Sequence, residues 1–272
     1  MRYLFIVFSI PLLIFQCTEN LEKMEGVVMN EQIKSELQTV SKAKIFFGHQ
    51  SVGYNILQGL QSLNTQAGAP LNILEIDKDV RLPDAFFGHS KIGINEKPRL
   101  KCDAFIQILE TSFADSLDIA FFKFCYIDIN KETNIKKLFE YYKSTMSIIQ
   151  EKYPNLKFIY VTVPLRLVQS GWKAKLKKLL GKEIGGYAEN IKRNQFNEML
   201  RAEYSNKPIF DLAKVESTYP DGTRQTFEKN GQKYYAMVPA YTSDGGHLNK
   251  LGSELAAKEL IHLLAKVYDK LK

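Results

Sequence analysis

The chain has 272 residues, of which 45% are hydrophobic and 25% charged, and its formal net charge is +7 at pH 7. These values are typical of an ordinary globular chain, long enough for one large α/β domain with a well-buried core. No repeat, low-complexity tract or internal linker indicates a second domain. The positive charge is mild and spread along the chain without an aromatic-basic motif, so we predict no nucleic-acid partner.

The first 17 residues have the layout of a secretory signal. Met1-Arg2 gives a positive start, and an apolar run at 4–15 is too short to cross a bilayer comfortably. Cys17 follows, and its placement resembles a bacterial lipoprotein signal, in which this residue becomes the lipidated N-terminus. We expect an exported lipoprotein anchored to a membrane, on the periplasmic or outer-membrane face. Secretion and an uncleaved hydrophobic anchor are the alternatives.

The remainder divides into a tether with a short helix at 18–40 and a single domain at 41–272. Only Cys102 and Cys125 lie in the body of the chain. Two cysteines do not make a disulfide framework, and their spacing is not that of a metal site. Cysteine chemistry is therefore not expected.

The hydrophobic pattern predicts alternating strands and helices along the domain. Strands are predicted at 44–48, 71–76, 117–124, 156–163 and 208–212. Helices are predicted at 52–63, 101–109, 135–153, 188–204 and 252–271, and the segment 77–98 is predicted to be irregular. This alternation indicates βαβ units and a parallel sheet with helices on both faces.

Polar residues follow the predicted strands at positions where a parallel sheet places its site. Ser51 comes just after the first strand, residues 125–128 follow the third, and the loop at 243–249 precedes the last helix. In open α/β sheets, ligands bind at the carboxyl ends of the strands. We therefore expect these three loop positions to converge on one edge of the sheet.

The residue types at these positions predict nucleophilic catalysis. Ser51 lies at a strand-to-helix turn and needs a base, which His247 can supply, while Asp244 orients the imidazole. The N–H of Ser51 is one candidate donor to an oxyanion, and the Gly93 N–H and the Asn95 side chain are two more. These residues also have a structural interpretation. Ser51 can be a helix N-cap, and His247, Asp244, Gly93 and Asn95 can be turn residues.

From about residue 42 to the end, the chain resembles the SGNH (GDSL-type) hydrolase superfamily. The run Asp244-Gly245-Gly246-His247-Leu248-Asn249, followed by Gly252, resembles the last block of that family. Residues 47–53 resemble its nucleophile block, with Gly48-His49-Gln50-Ser51 one residue longer than Gly-Asp-Ser. The segments 194–201 and 209–212 resemble its later helix and fifth strand.

The third block departs from the family pattern. The family has Gly-x-Asn-Asp after a strand, with the Asn donating to the oxyanion, whereas this chain has Cys125-Tyr126-Ile127-Asp128. Asn95, Lys123 or Tyr126 would have to replace that donor.

The resemblance implies a three-layer α/β/α sandwich with a flavodoxin-like parallel sheet of about five strands. It also implies ester hydrolysis without metal or cofactor, on a small-molecule, glycan or lipid ester. A catalytically inactive ligand-binding lipoprotein on the same scaffold is the first alternative, and a surface-interaction lipoprotein is the second. His49 and His89 either line the pocket or join Asp244 and His247 in a zinc site, although no His-x-x-x-His spacing supports zinc.

Overall fold

The computed structural model describes residues 26–76, 82–111, 114–169, 172, 176, 179–180 and 184–272. The predicted signal segment and Cys17 lie outside the described residues. Within these ranges, every helix falls short of the length and apolar character that a membrane crossing requires.

Six parallel strands form the central sheet, and their spatial order is β2-β3-β1-β4-β5-β6. They are β1 (Lys44–His49), β2 (Ile73–Glu75), β3 (Phe86–Lys91), β4 (Ile119–Phe122), β5 (Lys157–Val161) and β6 (Ile209–Phe210). The chain builds the sheet first on one side of β1 and then, from β4 onward, on the other. The direction of winding therefore reverses at β1, and the carboxyl ends of β1 and β4 lie at the switch point.

Helices cover both faces of the sheet, as the alternation of elements predicted. They are α1 (Glu31–Val40), α2 (Ser51–Ala67), α3 (Pro98–Leu109), α4 (Ile135–Lys152), α5 (Tyr187–Glu203), α6 (Leu212–Glu216) and α7 (Lys250–Asp269). Side chains of β1 alternate between two buried clusters, with Phe47 packed towards α1, α2 and α7 and Phe46 packed towards α3, α4 and α5. The three-layer α/β/α sandwich is confirmed.

The helix that begins at Ser51 packs closely against the helix that follows His247. A Cβ atom on Gly59 of α2 would lie 2.1 Å from the Ser253 carbonyl oxygen of α7, so only glycine permits this approach. Nearby, the buried Glu254 carboxylate accepts a hydrogen bond from Ser62 on α2. These contacts fix α2 and α7 relative to one another.

Two features differ from the sequence prediction. The sheet has six strands instead of about five, because β3 lies in the segment predicted to be irregular. Gly88 resembles a turn signal there, but it is a packing residue, since a Cβ atom would come within 2.8 Å of Ile76. A hairpin of β7 (Thr226–Lys229) and β8 (Gln232–Tyr235) was also not predicted. Its turn residues, Asn230 and Gly231, both have positive φ, as an Asn-Gly hairpin turn requires.

Candidate active site

Ser51 is the first residue of α2 and is exposed, two positions beyond the end of β1. Gln50, with an extended backbone, is the N-cap of this helix, so the interpretation of Ser51 as the N-cap is wrong. The Gln50 side chain instead donates to the carbonyls of Ile92 (3.0 Å) and Gly93 (3.1 Å). The turn that presents Ser51 is therefore tied to the loop after β3.

His247 and Asp244 form a hydrogen-bonded pair in the loop before α7. The His247 Nδ1 atom lies 2.6 Å from one Asp244 carboxylate oxygen, and the other oxygen accepts from the backbone N–H groups of Gly246 and His247, both at 2.8 Å. The hydrogen bond from the His247 ring holds the pKa of Asp244 well below its usual range. Because an ionised carboxylate only accepts, Nδ1 carries the proton of the neutral ring, and in that tautomer Nε2 has a free lone pair.

The loop that carries this pair lies over the carboxyl ends of β4 and β5. The Gly245 carbonyl accepts from the backbone N–H of Leu167, which follows β5, at 3.0 Å. The His247 ring meets the ring of Tyr126, which follows β4, edge to face at a centroid distance of 5.6 Å. Since β4 pairs with β1, His247 and Ser51 belong to the same edge of the sheet. Among the described residues no hydrogen bond joins the two side chains.

The loop after β3 holds the candidate oxyanion donors. Gly93 has a φ of +57°, and a Cβ atom there would lie 2.7 Å from the Lys101 backbone nitrogen, so both conformation and packing require glycine. Asn95 is exposed, and its Oδ1 atom accepts from Lys101 Nζ at 2.9 Å. The side-chain amide nitrogen of Asn95 carries two N–H groups that can donate hydrogen bonds.

A buried ion pair, which the sequence did not reveal, joins the loops after β3 and β4. Lys101 Nζ lies 2.5 Å from an Asp128 carboxylate oxygen, and both side chains have no exposed surface. The same carboxylate accepts from the backbone N–H of Glu96 (2.9 Å) and of Cys125 (2.6 Å). Asp128 thus holds both loops. In the sequence, its position at the end of the third block was the feature that indicated a role for it.

Two residues predicted to contact substrate are buried. Lys123 is 1% exposed and donates to the Phe124 carbonyl at 3.2 Å, and burial lowers the pKa of its ammonium. His49 is also 1% exposed, and burial lowers the pKa of its imidazole to about 3, so the ring is neutral. Both predictions are corrected: these side chains support the site from beneath and do not face solvent.

The His49 ring hydrogen-bonds to the turn before Ser51 and to His89. Its Nδ1 atom lies 2.9 Å from the Gln50 carbonyl, which makes Nδ1 the donor in a neutral ring. Its Nε2 atom therefore accepts from His89 Nδ1, at 3.1 Å. In the described part of the chain, no three His, Cys, Asp or Glu side chains group closely enough to hold a metal ion.

Two arginines contact Tyr126, and the sequence did not single them out. The guanidinium carbon of Arg166 lies 5.1 Å from the centre of the Tyr126 ring, and that of Arg193 lies 5.9 Å from it. Arg193 Nε donates to the Tyr126 carbonyl at 2.8 Å, and Arg166 Nε donates to the Gly245 carbonyl at 3.3 Å. Tyr126 therefore contacts both His247 and these two cations.

No protein-family model matches the chain, and no curated protein matches it. Solved structures do. A lipase/acylhydrolase from Enterococcus faecalis is 14% identical, with a TM-score of 0.48 over 85% of this chain and 97% of the other. A protein assigned to the lipolytic G-D-S-L family, from Desulfitobacterium hafniense, is 11% identical, with a TM-score of 0.46 over 81% and 99%. The periplasmic domain of a lipopolysaccharide acetyltransferase from Salmonella ser. Paratyphi A is 14% identical, with a TM-score of 0.45 over 93% and 96%.

Proposed function

We propose that this protein is a serine esterase of the SGNH type that hydrolyses an acylated glycan or lipid. Ser51 is the nucleophile, His247 the general base and Asp244 the group that orients it. The observation that carries the proposal is the His247–Asp244 hydrogen bond, which in the neutral ring places the proton on Nδ1 and the lone pair on Nε2, at the edge of the sheet where Ser51 begins α2. A base in this tautomer is what a serine hydroxyl requires for activation.

The reaction proceeds in two halves. Ser51 Oγ attacks the ester carbonyl while its proton moves to His247 Nε2, and Asp244 stabilises the resulting imidazolium. The leaving alcohol takes that proton when the C–O bond breaks. Water then attacks the acyl-enzyme, again with His247 as base, and the acid product leaves as Ser51 regains its proton.

Charge that develops on the carbonyl oxygen needs fixed donors. The Ser51 N–H belongs to the first turn of α2, where helix N–H groups have no partner within the helix. The Gly93 N–H and the Asn95 amide are the other candidates, on a loop that Gln50 holds beside Ser51. Asn95 would then take the role of the asparagine missing from the third block.

The Ser51–His247 hydrogen bond must form when substrate is bound. Ser51 is exposed, and the His247 side chain is 38% exposed, so both can change rotamer without disturbing the core. Catalytic hydrogen bonds are often long before substrate arrives and shorten in the complex.

The test is hydrolysis of short-chain nitrophenyl esters by the full chain, together with covalent labelling by a fluorophosphonate. Ser51→Ala should lower kcat/KM by about a thousand-fold or more and abolish the label, with an unchanged free energy of unfolding. Ser205→Ala, which alters another exposed serine, is the control. Turnover or labelling that persists in Ser51→Ala would overturn the proposal.

A binding protein on the same scaffold is the second candidate, and the lack of the third-block asparagine, where this chain has Ile127, favours it. Such a protein gives neither turnover nor label in the same experiment. We also propose export and lipid anchoring at Cys17. Cys17→Ala should then shift the expressed protein from the membrane fraction to the soluble fraction.

A further inference from the structure

Among the residues that the structure describes, the two arginines beside Tyr126 have no acidic partner in direct contact. Arg193 is 2% exposed, and Arg166 is half-buried. The ion pairs found among the described residues include neither of them, and Glu189 acts on Arg193 only at a distance. Burial, with a contribution from the neighbouring Arg166, lowers the pKa of Arg193 to about 10, so the Arg193 guanidinium is charged at neutral pH.

Arg193 donates through Nε and Nη1, whereas Arg166, within the described residues, donates through one nitrogen only. Arg193 donates to the Tyr126 carbonyl and, through Nη1, to Asn190 Oδ1 at 2.7 Å. The Asn190 amide also holds the Arg166 backbone, accepting from its N–H at 3.0 Å and donating to its carbonyl at 2.7 Å. The described hydrogen bonds of the Arg166 side chain involve Nε alone.

This arrangement is that of a preorganised anion-binding group. The Asn190 amide holds the Arg166 backbone, the Arg166 guanidinium lies over the Tyr126 ring, and within the described residues no hydrogen bond occupies its two Nη groups. A guanidinium fork of this kind binds carboxylate and phosphate oxygens in bidentate geometry, and a second buried cation nearby strengthens the attraction.

We infer that Arg166 binds an anionic group, a carboxylate or a phosphate, on the ester substrate. The inference rests on the proposed esterase function. Arg166 and His247 contact the same Tyr126 ring, so the guanidinium carbon and the imidazole centre are within about 11 Å of each other. A charged group a few bonds from the scissile ester spans that distance, as in a dicarboxylic half-ester or an acylated acidic sugar.

The experiment compares matched esters that differ only in charge. In one set the charge is on the acyl group: neutral 4-nitrophenyl pentanoate is compared with 4-nitrophenyl hemiglutarate, which carries a carboxylate, and 4-nitrophenyl 4-phosphonobutanoate, which carries a phosphonate. In the other set the charge is on the alcohol group: anionic 4-acetoxybenzoate is compared with its neutral methyl ester. In at least one set the full chain should have a higher kcat/KM for the anionic ester than for the neutral one. The comparison of the carboxylate ester with the phosphonate ester shows which anion is preferred.

Arg166→Gln should lower the ratio of kcat/KM for the preferred anionic ester to that for its neutral partner by about ten- to a hundred-fold, mostly through the KM of the anionic ester. Arg166→Lys should retain part of the preference. Arg99→Gln is the control, because its guanidinium lies 5.0 Å from the Tyr141 ring, between helices α3 and α4, and not beside Tyr126. Equal losses on neutral and anionic esters would assign Arg166 to holding the loop and overturn the inference.

Failure of the inference is distinguishable from failure of the esterase proposal. Hydrolysis of neutral esters with no anion preference overturns the inference alone. If no ester is hydrolysed, the anion site is judged by calorimetric titration of the full chain with glutarate, inorganic phosphate and neutral glutaramide. Binding of an anion that Arg166→Gln abolishes supports the site, and equal heats for glutarate and glutaramide overturn it.

Discussion

The tautomer of His247 depends on one carboxylate oxygen of Asp244. The hydrogen bond from the ring lowers the pKa of Asp244, so this carboxylate is ionised throughout the range in which enzymes work. A lowered pKa in the folded state gives a stabilisation that is present above the ordinary aspartate pKa and is lost only as the pH falls through the lowered value. The acid limb of an activity profile therefore should not report Asp244.

Asp244→Asn tests this role directly. The asparagine Oδ1 atom can still accept from the Gly246 and His247 N–H groups, which preserves the loop. Its amide group would face Nδ1 as a donor, so the imidazole proton moves to Nε2 and the base is lost. We expect kcat to fall by about 10³- to 10⁴-fold with little change in Tm.

Asp115→Asn is the control for that variant, since it removes an exposed carboxylate before β4, at the opposite edge of the sheet. Steady-state kinetics and thermal unfolding of both variants provide the measurement. A loss of activity below ten-fold in Asp244→Asn would contradict the assigned role.

At the scale of elements, the loops after β3 and β4 depend on the buried Lys101–Asp128 pair. Lys101→Met leaves a carboxylate without its cation in a fully buried position, which typically costs about 3–5 kcal/mol. We expect a loss of that size in urea unfolding, accompanied by reduced ester hydrolysis, because the Asn95 and Gly93 loop loses its anchor.

The control is Lys152→Met, which breaks the exposed ion pair with Glu110 and should leave unfolding unchanged, as surface pairs contribute little. Equal effects of the two substitutions would mean that Lys101 does not organise the loops.

The elements that the sequence predicted and those it missed differ in one physical respect. Strands β4 and β5 are covered on both faces, so their residues form continuous apolar runs that are easily recognised. Strand β3 contains Gly88 and ends in polar residues at the site, so its pattern resembles a loop. The positions of Ser51, Asp244 and His247 follow from motifs, whereas the burial of His49 and Lys123 depends on strand register, which no local pattern specifies.

At the scale of the whole molecule, one ionisable group lies deep beneath the site. Glu216, the last residue of α6, is 1% exposed, and one carboxylate oxygen accepts from the Leu165 N–H at 2.6 Å. The other oxygen is buried without a hydrogen bond in the described structure. Burial raises the pKa of Glu216 to about 8. Leu165 precedes Arg166, so this carboxyl group supports the loop after β5.

The raised pKa predicts how the stability of the whole domain changes with pH. Between the ordinary glutamate pKa and about 8, the folded state binds a proton that the unfolded state has released, so the free energy of unfolding falls as the pH rises. Glu216→Gln has the shape of the protonated side chain and removes this dependence. Relative to the variant, the wild type should lose about 2 kcal/mol between pH 6 and pH 8. Urea unfolding at both pH values measures the difference, and Glu110→Gln, which changes an exposed glutamate, is the control. Parallel profiles for wild type and Glu216→Gln would show that Glu216 is ionised in the fold.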